Sequence, residues 1–158
     1  MCNVQLISYN ESYLHELSSF SLPEDQVIFT ALPLQKLNNT ANSSEISHMI
    51  ILADEKPVGF FSLEEGEKRD KYTTNKKAKL LTAFSINFED QGKGFAKKSL
   101  RLLPAFLYEQ FTEINEVVLG VNKRNIAAKS LYLSSGFKDL GEVYEGLKGP
   151  QHILHLTL

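Results

Sequence analysis

The chain has 158 residues, 42% of them hydrophobic and 23% charged; this suits one globular domain over residues 1–158 and excludes a disordered chain. Seventeen Lys and Arg against 19 Asp and Glu leave a net charge of −2, which excludes a chain-wide basic face for nucleic acid. The single cysteine, Cys2, excludes an internal disulfide framework and any multi-thiolate zinc site.

Residues 1–9 lack a basic start followed by a long apolar run, and no stretch approaches the roughly 20 apolar residues that span a bilayer. The expectation is a cytoplasmic protein with no membrane partner. Val4, Leu6 and Ile7 predict a short opening strand. A helix follows over about Ser12 to Phe20, where Leu14, Leu17 and Phe20 line one face. Pro23 and Pro33 divide the next stretch into one or two brief helices, and Asn38 to Ser44 is a polar loop. From Ser47 the period changes, and HMIILA and DEKPVGFFSLEE predict an antiparallel hairpin turning at Asp54 to Pro57. Gly66 to Lys79 is a polar connection whose lysines and Arg69 suit a solvated loop, and the apolar LLTAFSINF suits a central strand.

Lys93 to Gln110 predicts a long helix with Phe95, Leu100, Leu103 and Phe106 or Leu107 inward and a kink at Pro104. A buried strand starts at Val117. Asn125 to Ser134 forms a compact helix stopped by Gly136, and two last strands lie around Phe137–Tyr144 and His152–Leu158. The order predicts an α/β (α+β) fold, with a mixed sheet and helices on its faces.

The most informative segment is NFEDQGKGFAKKSL, residues 87–100. A strand runs into a turn with Gly92 and Gly94 that opens directly onto a helix. Free N–H groups at the helix start, the positive end of its dipole, and glycines without a Cβ make a cradle for phosphate. Lys93, Lys97 and Lys98 add charge. A P-loop needs four residues between its glycines and then Gly-Lys-Ser/Thr, which is absent. A dinucleotide fingerprint needs a third glycine where this chain has Lys97. A plain left-handed turn between strand and helix is the simplest alternative.

The spacing of Gln91, Gly94 and Ala96 resembles the Gln/Arg-x-x-Gly-x-Gly/Ala signature of GCN5-related N-acetyltransferases. The segment Asn125-Ile-Ala-Ala128-Lys-Ser-Leu131-Tyr132-Leu-Ser-Ser-Gly136-Phe137 resembles the other motif of that family. The order of strands and helices along nearly the whole chain is similar too. The resemblance implies a mostly antiparallel twisted sheet with splayed central strands. It also implies direct transfer of an acetyl group from acetyl-CoA, as co-substrate, to an amine in a ternary complex.

On that resemblance, Gln91, Gly92, Lys93, Gly94, Phe95 and Ala96 bind the pyrophosphate through backbone N–H groups. Phe84 to Phe88, with Ser85 and Ile86, pair with the pantetheine arm. A backbone N–H there can polarise the thioester carbonyl. Asn125, with Ala128 on the same motif, contacts the pantetheine region; Asn125 also suits a helix cap. Tyr132 lies near the sulfur and can protonate the leaving thiolate, or else its ring simply packs.

Glu64 and Glu65 are candidate bases. Strand alternation sends them to opposite faces, so at most one reaches the acceptor cleft, and both also suit exposed strand-end charges. Glu89 and Asp90 suit cap and loop roles, the four histidines show no ligand spacing, and no metal is expected. The segments Leu22–Leu37 and Glu145–His152 flank the acceptor in the family. Leu22, Phe29 and Leu32 can form an apolar wall there, and Glu24 and Asp25 can attract a cation. The acceptor is an open choice among small amines, polyamines, amino acids, aminoglycosides and peptide amines. A homodimer through the terminal strands is also open on resemblance. The alternative function is a non-catalytic CoA-binding or regulatory module with the same fold.

Overall fold

The computed structural model describes residues 2–158. Its elements run β1 (Val4–Ser8), a 3-10 turn (Glu11–Tyr13), α1 (Leu14–Ser18), α2 (Glu24–Val27), α3 (Pro33–Asn39), β2 (Ile46–Ala53) and β3 (Lys56–Glu64). They continue with α4 (Glu67–Asp70), β4 (Ala78–Ile86), a 3-10 turn (Phe88–Asp90), α5 (Phe95–Gln110) and β5 (Glu116–Asn122). The chain closes with α6 (Ile126–Ser134), β6 (Lys138–Gly146) and β7 (Gly149–Thr157).

All seven strands form one sheet in the order β1-β2-β3-β4-β5-β7-β6. Among the described residues only β4 and β5 run parallel; a parallel pair needs a crossover, and α5 supplies it. The mixed, mostly antiparallel sheet expected from the sequence is observed.

Strand alternation divides the core between two faces. Ile51, Phe61, Leu63 and Leu81 pack with Leu100, Leu103 and Leu107 of α5 and with Val117 and Leu119 of β5. Ile50, Leu52 and Phe60 face the other way, onto Leu17 and Phe20 at α1. This second side, which we call the α1–α3 face, also carries Ser62 and Glu64.

Several boundaries differ from the sequence reading. The helix expected over Ser12–Phe20 is a 3-10 turn followed by five α-helical residues. Leu17 and Phe20 are buried, whereas Leu14 is exposed, so too few apolar positions hold a longer helix. The long helix begins at Phe95 rather than Lys93, because Gly94 at φ +83° is left-handed and sits outside it. Pro104 lies inside α5.

The basic connection is not a simple solvated loop. It contains α4, and Arg69 is buried, donating to the carbonyls of Lys76 and Ala78 and to Asp70. Lys79 is buried too, with its ammonium 4.6 Å from the Phe111 ring centre and 3.2 Å from Glu65.

The β2–β3 hairpin turns on Asp54 and Glu55, both with positive φ (+49° and +68°). A two-residue turn of this hand matches strand twist but strains any residue with a Cβ, and Asp-Gly is its favoured pair. Replacing Glu55 by Gly is expected to stabilise the protein by about 1 kcal/mol, or ~2–4 °C in Tm. Thermal denaturation checks this, and an unchanged or lower Tm would refute the strain assigned to the turn.

Candidate active site

The sheet opens at its centre. β4 pairs with β5 only at Ala78↔Glu116, Lys79↔Val117 and Leu80↔Val118. Beyond that point β4 continues to Ile86 and β5 to Asn122 without pairing, which leaves a fork closed at Leu80 and Val118. The β5-facing edge of β4 from Leu81 to Ile86 therefore carries backbone groups with no strand partner. Such an edge takes an extended ligand as an added strand.

A bulge sits on this edge. The β3–β4 register runs from Ser62↔Thr82 to Phe60↔Ser85, so Phe61 opposes both Ala83 and Phe84. Ala83 adopts φ +53°, a conformation that disfavours a side chain and persists only where packing enforces it. The bulge turns Phe84 onto the α5 face of the sheet, where it enters an aromatic row. Ring centres are 6.0 Å apart for Phe61–Phe84, 6.1 Å for Phe84–Tyr132 and 5.6 Å for Tyr132–Phe137. Tyr132, on α6, thus lines the fork. Burial pushes its phenol well above the ordinary value, so it keeps its proton at neutral pH.

At the open end β4 leads into the glycine turn. Gly92 and Gly94 have φ +77° and +83°, and a Cβ on either would meet no protein atom within 4 Å. Glycine is needed there for conformation, and the side left open faces away from the protein. The first bond of α5 is Lys98 N–H to the Gly94 carbonyl. Among the described residues, the N–H groups from Gly92 to Lys97 thus have no acceptor, which gives an anion cradle at the start of a 16-residue helix.

Gln91 does not share in it. Its N–H donates to Phe88, while its side chain donates to the Ile86 carbonyl (2.9 Å) and exchanges bonds with Gln26 of α2 (2.9 and 3.2 Å). Gln91 ties the end of β4 to α2 and shapes the turn. Two expected edge donors are also occupied. Asn87 N–H donates to Val58 and Phe88 N–H to Ser21, so the free edge ends at Ile86. Ser85 Oγ and Asp90 Oδ2 are buried without a protein partner, one on the edge and one in the turn; both suit a polar ligand or water.

Asn125 caps α6, its Oδ1 accepting from Ala128 N–H at 3.3 Å. Glu64 lies on the α1–α3 face near the closed end of the fork. Its Oε2 accepts from the Thr82 hydroxyl, from Lys36 Nζ at 2.9 Å and from Lys68 Nζ at 3.3 Å. Among the described residues Oε1 has no donor. Burial would raise this carboxyl, but the Thr82 hydroxyl and the Lys36 ammonium outweigh it and hold the group below the usual carboxylate range. Burial pulls Lys36 below the ordinary lysine value, with Glu64 acting against that. Glu65 projects to the opposite face, onto Lys79, beyond the closed end of the fork.

A residue outside the sequence-derived set joins the two segments expected to flank the acceptor. Arg124, just after β5, lies 5.4 Å from the Phe29 ring centre and donates to the Lys148 carbonyl at 3.4 Å. The basic pair Lys123-Arg124 before Asn125 was its only signal in the sequence. Two hollows of about 380 and 360 Å³ lie at α1 and α3 (Leu17, Phe20, Leu34) and beside Tyr9, His48 and Phe111. Neither is lined by the fork, which is an open groove. Among the described residues no group of three or more His, Cys, Asp or Glu could hold a metal ion, and no helix is long and apolar enough to cross a membrane.

No protein-family model matches the chain. A curated relative does: the Bacillus subtilis protein YbbJ, described as an uncharacterized N-acetyltransferase, is 41% identical over 154 residues, 97% of this chain and 96% of the relative. The chain belongs to the GCN5-related N-acetyltransferase family.

Solved structures share the fold of this acetyltransferase. The aminoglycoside acetyltransferase AAC(6')-Ib in complex with coenzyme A has a TM-score of 0.79 at 18% identity, over 98% of this chain and 95% of that one. The spermidine N-acetyltransferase from Vibrio cholerae in complex with CoA and spermine has a TM-score of 0.71 at 15% identity, over 98% and 95%. An uncharacterized protein from Bacillus halodurans reaches 0.81 at 14% identity, over 99% and 84%.

The buried Lys36–Glu64 pair sets a stability prediction. Either Glu64→Gln or Lys36→Met alone leaves a buried charge poorly compensated and is expected to cost about 3 kcal/mol, while the double variant costs clearly less than the sum. Because the folded Glu64 carboxyl lies below its unfolded value, its contribution is complete above about pH 4.5 and is lost as pH falls through the folded value. Denaturant melts from pH 7 to pH 3 read both effects. Additive single losses, or a Glu64→Gln variant with the wild-type acid dependence, would contradict the pairing.

Proposed function

We propose that this acyltransferase moves an acetyl group from acetyl-CoA directly to an amine, with both bound at the fork. The observation that carries the reading is the fork itself, whose unpaired β4 edge runs straight into a cradle of free N–H groups. The edge suits the amide-bearing pantetheine arm, and the cradle suits the pyrophosphate, with Lys93, Lys97 and Lys98 nearby. Phe84, Ser85 and Ile86 supply the edge, Gly92 to Ala96 the cradle, and Asn125 and Ala128 the opposite wall at α6.

In the reaction the amine nitrogen bonds to the thioester carbon and the carbon–sulfur bond breaks. A backbone N–H at the bulge stabilises the negative charge that develops on the carbonyl oxygen. The departing thiolate takes the proton of Tyr132, which is protonated at neutral pH, and the proton that the attacking nitrogen sheds as the amide forms returns to the phenolate through water. The acceptor ammonium must lose a proton before attack. Glu64 already accepts from the Thr82 hydroxyl and from two lysine ammonium groups on Oε2, which leaves only Oε1 for the acceptor. Its Oε1 orients the nitrogen or a water on it, and water carries the proton away. Glu65 takes no part. Bringing both reactants into one groove supplies much of the acceleration by proximity.

The test is release of free thiol from acetyl-CoA across a panel of primary amines. Release with at least one amine is expected. Tyr132→Phe is expected to lower kcat about a hundredfold with little change in acetyl-CoA affinity. Saturable CoA binding with no release on any amine would contradict the enzymatic reading. Wild-type kcat in Tyr132→Phe would remove that residue from the mechanism.

A further inference from the structure

The acceptor end of the fork carries a charge pattern that names the class of amine. At its closed end, on the α1–α3 face, Glu64 is the buried carboxylate, and two ammonium groups already sit on it. That cluster is net positive by one charge, so it offers nothing for a second or third ammonium group of a polycation.

At the open end stands Arg124. Four residue steps from Val118 carry Asn122, the end of β5, about 13 Å from the closed end, and Arg124 follows two residues later. Its guanidinium lies over the Phe29 ring, Cζ 5.4 Å from the ring centre, with Nη2 on the Lys148 carbonyl at 3.4 Å and Nε 3.5 Å from Asn122 Oδ1. Both of these acceptors are neutral. An arginine has five N–H donors in a fork matched to a carboxylate, and among the described residues no carboxylate lies within 4 Å of this one. Asn122 Oδ1 also accepts from the Arg124 N–H, and Asn122 Nδ2 donates to the same Lys148 carbonyl, so the backbone under the guanidinium is fixed.

Lys123 and Lys148 flank it without ion-pair partners among the described residues. Of the acidic residues in the two flanking segments, Glu24 and Asp25 lie exposed on the first turn of α2, where they complement the free N–H groups of that helix, and Glu145 lies exposed at the end of β6; among the described residues none of them pairs with Arg124.

Resting on the proposed acetyl transfer, we propose that the acceptor is an amine carrying a carboxylate about 7 Å away, the N-terminus of a short peptide or the side-chain amine of a free amino acid, and that Arg124 receives the carboxylate while the amine lies at Glu64. The Phe29 ring and the tip of the β6–β7 hairpin then close on either side of it. This is the opposite charge preference from that of a polyamine or aminoglycoside acceptor.

The test compares thiol release from acetyl-CoA with free amino acids, dipeptides and their C-terminal carboxamides, beside spermidine and kanamycin. The carboxamides keep the amine and lose only the anion. The best carboxylate acceptor is expected to exceed its carboxamide in kcat/KM by about tenfold or more. Arg124→Gln is expected to raise KM for that acceptor and cut the preference to about twofold, with KM for acetyl-CoA unchanged, and Arg124→Lys to recover part of it.

Equal or better turnover of the carboxamides, or selective turnover of spermidine or kanamycin, would overturn the inference and leave acetyl transfer standing. A preference that survives Arg124→Gln would overturn the role of Arg124. No release with any amine would overturn both the inference and the reading beneath it.

Discussion

Three residue pairs hold β4 to β5, and the geometry of the candidate site follows from their number. Parallel pairing brings the two strands together at Leu80 and Val118 and then stops, although both strands continue. Unsatisfied backbone along a buried strand is costly, so an interrupted ladder at the centre of a sheet needs a ligand or water to complete it. The fork is kept open from both sides. The bulge at Ala83 turns β4 away, and the edge-to-face packing of Phe84, Tyr132 and Phe137 fills the space on the α5 face with rings that make no strand hydrogen bonds. The crossover through α5 then sets a helix start at the open end of the same gap. One topological feature thereby aligns an unpaired strand edge, a turn of free N–H groups and a protonated phenol.

The two faces of the sheet divide the chemistry. On the α5 face lie the aromatic row and the helices that flank the fork. On the other face, α1 to α3 and the segment around α4 bring Lys36 and Lys68 onto Glu64, and Arg124 joins Phe29 to the β6–β7 hairpin. Gln91 couples these regions, because its amide grips both the last carbonyl of β4 and Gln26 of α2. Helix α2 is thus bonded directly to the turn that opens α5.

Much of this was legible in the chain. The hairpin over β2 and β3, the long amphipathic helix and the Gly136 stop follow from periodicity and turn chemistry, and the resemblance of two spaced motifs to a known family supplied the splay. The sequence did not show which N–H groups of the glycine turn are free, because Gln91 looks like part of the cradle until its bond to Phe88 is seen. Nor did it separate solvated basic residues from buried ones: Arg69 and Lys79 in the polar connection, and Lys36 in a short helix, carry no mark of burial until tertiary partners desolvate them. Glu64 and Glu65 are neighbours of the same type, and alternation divides them without saying which face holds the acceptor. Arg124 was missed for a related reason: its partners Phe29 and Lys148 are distant in sequence and carry no periodic signature.

The central claim is that the open edge of β4 and the N–H groups that follow it bind the co-substrate as one continuous surface. Hydrogen–deuterium exchange of the intact protein, with and without saturating CoA, tests it most directly. The account predicts slowed exchange at residues 82–86 and 92–97 together, with the β1–β2 region unchanged. Saturable CoA binding that protects neither the β4 edge nor the glycine turn would contradict it.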